Sequence, residues 1–253
     1  MAQQVTPVRR VRLGKVIGPE PTAVSGVVLL LPGGDEASHR KPATLLATSH
    51  VRTLGRRLAR AGREEGLAAH VVRYRFRGWN GSDANHMSDA LWAADEVVRR
   101  YGDVPVCLAG VDMGARAAVR AGGHEAVNSV LAIAPWLPEE DVAASPEPVK
   151  QLGGRRVMFV HGTNDERTDP ELSFRLAERA KKANRDVCRF EVHSDRHALQ
   201  QHRDEVLALA EDFVMGVLFG RSFSRPVADA FAAPPPLGLR MPLAAGFGKS
   251  LRR

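Results

Sequence analysis

The run Val104-Pro-Val-Cys-Leu-Ala109 leads into Gly110-Val111-Asp112-Met113-Gly114, and this into Ala115-Arg-Ala-Ala-Val-Arg120. An apolar run, a turn bounded by glycines and an Ala-rich segment read as strand, sharp turn and helix. The glycines let strand and helix approach with no Cβ between them, and they let one intervening residue sit in a strained conformation. That residue is Asp112. The strand end aims its side chain into the crevice above a sheet. The N-terminus of the following helix brings unpaired N–H groups and partial positive charge beneath it. A carboxylate so placed can attack an electrophile, serve as a base, or only cap the helix, Asp being a favoured N-cap.

Three further strand ends carry polar residues. Val157-Met-Phe-Val160 runs into His161-Gly-Thr-Asn-Asp165. Position in that turn favours Asp165 over Glu166 and Asp169 as an acid that orients a base, and His161 reads as a turn-orienting residue. Cys188-Arg-Phe-Glu-Val192 alternates as a strand does and ends at His193-Ser-Asp-Arg-His197, which places His197 as a general base. Upstream, Val27-Val-Leu-Leu-Leu31 feeds the turn Pro32-Gly33-Gly34. The chain order is therefore elbow residue, acid, histidine.

On these residues, together with Arg73-Tyr-Arg-Phe-Arg-Gly-Trp-Asn80 and Ala132-Ile-Ala-Pro-Trp136, the stretch from about Gly26 to Phe213 resembles the α/β-hydrolase family. Within it, the chain looks like the small lidless, dienelactone-hydrolase-like branch. The resemblance implies an α/β fold with a mostly parallel eight-stranded sheet, helices on both faces and no large cap domain. It puts Asp112 in the nucleophile position, Asp165 in the acid position and His197 in the base position. Met113 and Gly34, or alternatively Asp35, would then donate the oxyanion-hole N–H groups. Two departures stand out. The elbow serine is Asp112, and the glycine usual before the final histidine is Arg196.

The wider pattern agrees with βαβ units. Strands are expected near residues 8–17, 24–31, 67–74, 104–109, 127–134, 157–160 and 187–192. Helices are expected over 43–65, 88–100, 170–182 and 197–217. Ligands in such sheets bind beyond the carboxyl ends of the strands. Trp79, Trp136, Asp35 and Arg77 fall there as candidate substrate contacts. Trp92 lies on a helix and reads as core.

Composition bounds the class. The chain has 253 residues and a net charge of +7. Six basic residues and one acid after Phe219 carry most of that excess, beside Ala232-Ala-Pro-Pro-Pro-Leu-Gly238. Residues 1–218 are therefore read as the α/β domain, and 219–253 as a basic, extended or disordered tail. Lacking stacking aromatics, the tail does not read as a nucleic-acid binder. No apolar run reaches the ~18 residues of a membrane span, and the N-terminus shows no apolar signal region. Cys107 and Cys188 each sit in an expected strand, as buried reduced thiols of a cytoplasmic protein do. No Cys/His cluster has metal spacing, and no cofactor is expected.

A carboxylate attacks esters poorly, because the anhydride formed is less stable than the ester. It displaces halide or opens an epoxide at an sp³ carbon, leaving an ester that His197 and water can hydrolyse. The expected function is thus a hydrolase of a small metabolite using Asp112, His197 and Asp165. The alternatives are a non-hydrolytic proton-transfer enzyme, such as a cyclase, isomerase or lyase, and a ligand-binding pseudohydrolase.

Overall fold

The computed structural model of the chain describes residues 9–19, 23–41, 48–138 and 147–249. Strands β1 (Arg12–Leu13), β2 (Gly26–Leu31), β3 (Leu67–Arg73), β4 (Val106–Val111), β5 (Val127–Ile133), β6 (Arg156–Gly162), β7 (Val187–Val192) and β8 (Met241–Pro242) form one eight-stranded sheet. Their order is β1-β3-β2-β4-β5-β6-β7-β8, parallel except for β1, which runs antiparallel to β3. This is the α/β-hydrolase fold.

The strands read as near-continuous apolar runs because both faces are covered. Val27, Leu29 and Leu31 point to one core, with helices α2 (Asn85–Tyr101), α3 (Met113–Ala121) and α4 (Pro170–Ala183). Val28 and Leu30 point to the other, with α1 (Ser49–Ala61), α5 (Arg203–Phe219) and α6 (Arg225–Ala232). Cys107 and Cys188 are buried and unpaired in β4 and β7, and burial pushes the Cys107 thiol up to about 12. Among the described residues no helix is long and apolar enough to cross a membrane.

After β2 the chain winds to one side through β3, then returns to place β4 on the other side of β2. The winding direction switches there, which opens a crevice at the strand ends. The loop after β2 and the turn after β4 face each other across it, with Leu31 paired to Gly110.

Two expectations need correction. The helix expected over 197–217 begins only at Arg203. The buried Asp195 carboxylate accepts from the backbone N–H of Arg196 and of His202, winding residues 194–201 into a loop. The second correction concerns the tail, which is packed and not an extended appendage over its described part. Val227, Ala230 and Leu239 are fully buried, and β8 pairs with β7. Phe231 stacks against Phe213 and packs at a tilt against Phe223. Two of the tail's basic residues meet acids of the body: Arg221 pairs with Glu65, and Arg240 with Glu171 and Glu191. Part of the tail's basic excess is thus one half of ion pairs with the body. The beginning of the helix expected over 43–65 falls on residues 42–47, outside the described residues, as does 139–146 between β5 and β6.

Candidate active site

Asp112 sits at the turn between β4 and α3 with φ 57° and ψ −123°. A non-glycine residue there costs on the order of 1–3 kcal/mol and persists only where the surroundings dictate it. The surroundings do so through the two flanking glycines. A Cβ on Gly110 would stand 2.1 Å from Gly114 O, and one on Gly114 would stand 2.1 Å from Leu31 O. The Asp112 backbone is also anchored: its N–H donates to Ile133 O, and its carbonyl accepts from Ala115 and Trp136. Its side chain makes no capping hydrogen bond to α3, so the capping reading of the sequence is not realised.

The loops after β4, β6 and β7 bring three expected residues together. His197 Nδ1 lies 2.8 Å from Asp165 Oδ2, and His197 Nε2 lies 3.6 Å from Asp112 Oδ1. The imidazole thus stands between the two carboxylates. Asp165 is held from every side. Its Oδ2 also faces His161 Nε2 at 2.9 Å, and its Oδ1 accepts from the backbone N–H groups of Arg167 and Thr168. Burial opposes ionisation of Asp165, but the bonds from the two histidines outweigh it and keep this carboxyl well below the usual range.

Asp112 is shifted the other way. Burial raises its proton affinity, against the opposing pull of Arg167, His197 and the N–H groups of Met113 and Gly34. Those two N–H groups, expected to face a substrate oxygen, therefore bear on the elbow carboxylate itself. Its two oxygens differ. Oδ2 is 3.2 Å from Arg167 Nη2, and a Cβ at position 33 would come within 2.7 Å of it, so only glycine leaves it room. Oδ1 is buried and has no hydrogen-bond partner among the described residues.

Asp112 and His197 line a cavity of about 230 Å³. Its walls are mainly apolar: Val51 and Leu54 of α1, Ile133 at the end of β5, Leu199, and Val206 and Leu207 of α5. His50 and Arg203 complete the lining as polar residues.

The expected substrate contacts are elsewhere. Trp79 and Trp136 line a separate cavity of about 570 Å³ on the α3 side. Their rings flank the Arg116 guanidinium at 4.2 and 5.3 Å. Asp35 and Arg77 pair with each other at 2.9 Å. None of the four lines the Asp112 cavity. A strand-end loop can turn toward either face of the sheet, and sequence position does not say which. Sequence reasoning missed Arg167, which lies in a loop without periodicity, and the apolar wall of α1 and α5. That wall was visible as helix periodicity but could be read only as core.

No family model matches the chain, and no curated protein matches it. Solved structures do. Est1E from Butyrivibrio proteoclasticus, in complex with ferulic acid, superposes with a TM-score of 0.60 at 12% identity over 82% of this chain and 95% of that one. XC6422 from Xanthomonas campestris, described as an α/β serine hydrolase without lid, gives 0.59 at 18% identity, covering 84% and 92%. TT1662 from Thermus thermophilus gives 0.59 at 19%, covering 84% and 100%. At these identities the likeness is one of fold.

Proposed function

We propose that this chain is a cofactor-independent, cytoplasmic hydrolase in which Asp112 attacks an sp³ carbon of a small, largely apolar substrate. The observation that carries the reading is Asp112, which lines the cavity beside His197 and whose Oδ1 is buried and, among the described residues, without a hydrogen-bond partner. A buried carboxylate oxygen with free lone pairs, on a residue that lines an apolar cavity, is a prepared nucleophile, since little solvation must be stripped before attack. In the first step Oδ1 forms a bond to carbon, and the carbon–halogen or carbon–oxygen bond breaks with its electron pair leaving on the halide or alkoxide. In the second, His197 takes a proton from water, which adds to Cγ of the new ester. The tetrahedral intermediate then expels the product alkoxide with Oδ1, and His197 returns the proton. Asp165 keeps the imidazole oriented and stabilises its charged form, as its depressed proton affinity requires.

The cavity supports a substrate of modest size, since a void of roughly 150 Å³ already admits benzene. The structural relatives include esterases and serine hydrolases. Hydrolysis is common ground with them, but a carboxylate nucleophile favours alkyl transfer over acyl transfer.

Histidine replacement tests the reading. His197→Gln incubated with styrene oxide or 1-bromohexane should accumulate a covalent adduct on Asp112, because alkylation needs only the carboxylate. Intact mass and peptide mapping would detect it. If neither probe leaves an adduct, the nucleophile role is lost. The second reading, proton transfer between Asp112 and His197, is favoured by the raised proton affinity of Asp112. It predicts no adduct with any substrate, yet complete loss of turnover in Asp112→Asn.

A further inference from the structure

We infer that Arg167 is a catalytic residue, a charged member of the oxyanion hole that acts on the hydrolysis of the Asp112 ester and not on its formation. This rests on the nucleophile reading above, and it assigns the two oxygens of Asp112 separate tasks.

The assignment follows from where the contacts fall. Oδ1 is unpartnered and becomes the ester oxygen once it attacks. Oδ2, which Arg167 Nη2 touches at 3.2 Å, then becomes the ester carbonyl oxygen. When water adds to Cγ, the carbonyl π pair moves onto Oδ2, and a full negative charge develops there. A guanidinium already aimed at that atom needs no reorganisation at the moment of reaction. A charged donor is also roughly twice as strong as a neutral backbone N–H. When the intermediate collapses, the pair returns to the Cγ–Oδ2 bond, and the Cγ–Oδ1 bond breaks.

Arg167 is placed for this by the triad itself. Its backbone N–H donates to Asp165 Oδ1 at 2.9 Å, while Asp165 Oδ2 holds His197. One carboxylate therefore fixes both the cation on its own loop and the base on the loop after β7. The guanidinium makes no other ion pair among the described residues, and its side chain is 56% exposed. It is thus available to follow charge on Oδ2 and is not committed to a structural partner.

The same contact has opposite consequences in the two steps. Before attack, Arg167 stabilises the carboxylate and so restrains it as a nucleophile. After attack, it stabilises the developing oxyanion. Removing it should leave alkylation unchanged or faster and slow hydrolysis by ~10²-fold, the usual effect of losing one oxyanion donor. A residue that only kept Asp112 ionised would do the reverse and slow alkylation.

The test is single turnover in H₂¹⁸O with enzyme in excess over styrene oxide or 1-bromohexane, following intact mass with time and ¹⁸O in the Asp112 peptide. Wild type should incorporate ¹⁸O into Asp112. Arg167→Gln should form adduct at least as fast as wild type and release it ~10²-fold more slowly. Arg167→Lys, which keeps a charge and serves equally if Arg167→Gln does not fold, should lie between. If wild type takes up no ¹⁸O with either probe, the nucleophile reading falls and this inference with it. If wild type is labelled but Arg167→Gln or Arg167→Lys hydrolyses its adduct at the wild-type rate, or if either forms the adduct more slowly, Asp112 remains the nucleophile and the role of Arg167 is overturned.

Discussion

His161 and His197 meet on one atom: Asp165 Oδ2 lies 2.9 Å from His161 Nε2 and 2.8 Å from His197 Nδ1. The chain of contacts continues inward. His161 Nδ1 is 2.8 Å from Ser173 Oγ, which accepts from Arg189 Nε at 3.1 Å. Arg189 is itself buried and donates to Glu191, to Pro170 O and to Leu239 O. A hydrogen-bonded path therefore joins the elbow side of the sheet to the tail.

This path predicts an acid dependence of stability. Burial lowers the proton affinity of His161 below that of a free histidine. Below about pH 6.5 the unfolded chain then binds a proton that the folded chain resists, so stability falls as pH falls. His86, lowered by burial to about 4, acts in the same direction. Asp165, held below its ordinary value, adds a second loss as pH drops below about 4. His161→Gln should flatten the upper part of the curve of Tm against pH and, by removing one of the two histidine contacts that hold Asp165 low, shrink the lower loss as well. An unchanged curve between about pH 6.5 and 4 would contradict this.

Asp112 should behave oppositely. Its folded proton affinity is raised, first by burial, so its ionised form costs stability at neutral pH, a cost that vanishes as pH falls through its folded pKa. Asp112→Asn should therefore raise Tm at pH 7 by a few degrees, where about 1 kcal/mol corresponds to roughly 2–4 °C. The gain should shrink toward pH 3 while activity is lost throughout. A neutral-pH decrease in Tm would show that Arg167 and His197 outweigh desolvation.

The elbow glycines are open to a packing test. A Cβ on Gly114 would meet Leu31 O at 2.1 Å and Pro32 O at 2.4 Å, both backbone atoms that cannot swing away. Gly114→Ala should cost about 3 kcal/mol or more by denaturant titration. Gly153→Ala is the control, since its Cβ would find only Lys150 O at 3.4 Å and should change stability by less than about 0.5 kcal/mol. Equal effects at the two sites would refute the close-approach account.

Truncation after Phe219 should destabilise the whole sheet. It removes β8 from the edge of β7 and takes Val227 and Leu239 out of the cores, at about 1.5–3 kcal/mol each. It also strips Arg189 of its Leu239 carbonyl partner. The expected fall in Tm is roughly 10 °C or more, measurable by calorimetry. An unchanged Tm would restore the reading of the tail as an appendage.

Arg189→Met leaves Leu239 O without its donor, Pro170 O with Ser173 Oγ alone and Glu191 with Arg240 alone. Breaking one side of a buried pair costs about 3–5 kcal/mol, and the remaining Arg240 contact places this case near the lower end. Limited proteolysis should then cut first beyond Phe219. Resistance equal to wild type would show that the tail is held by its apolar contacts alone.

Much of this protein was determined by its sequence alone. Apolar runs separated by amphipathic segments dictate alternating strands and helices, because each strand must be covered on both faces. Gly110 and Gly114 around Asp112 announce the elbow, since only glycines permit backbones so close. The order Asp112, Asp165, His197 follows from which strand ends carry polar residues. Tertiary structure alone decided the rest. Trp79 and Trp136 turned to the α3 face of the sheet, because a loop's direction depends on what it packs against, here Arg116. The tail joined the sheet because its scattered apolar residues find partners only on the assembled surface of β7 and α5, and Arg221 and Arg240 only on Glu65, Glu171 and Glu191 of three separate segments. Arg167 reached Asp112 across 55 residues of chain. A contact between two loops leaves no trace in either loop's sequence, since it depends on the sheet that holds them side by side.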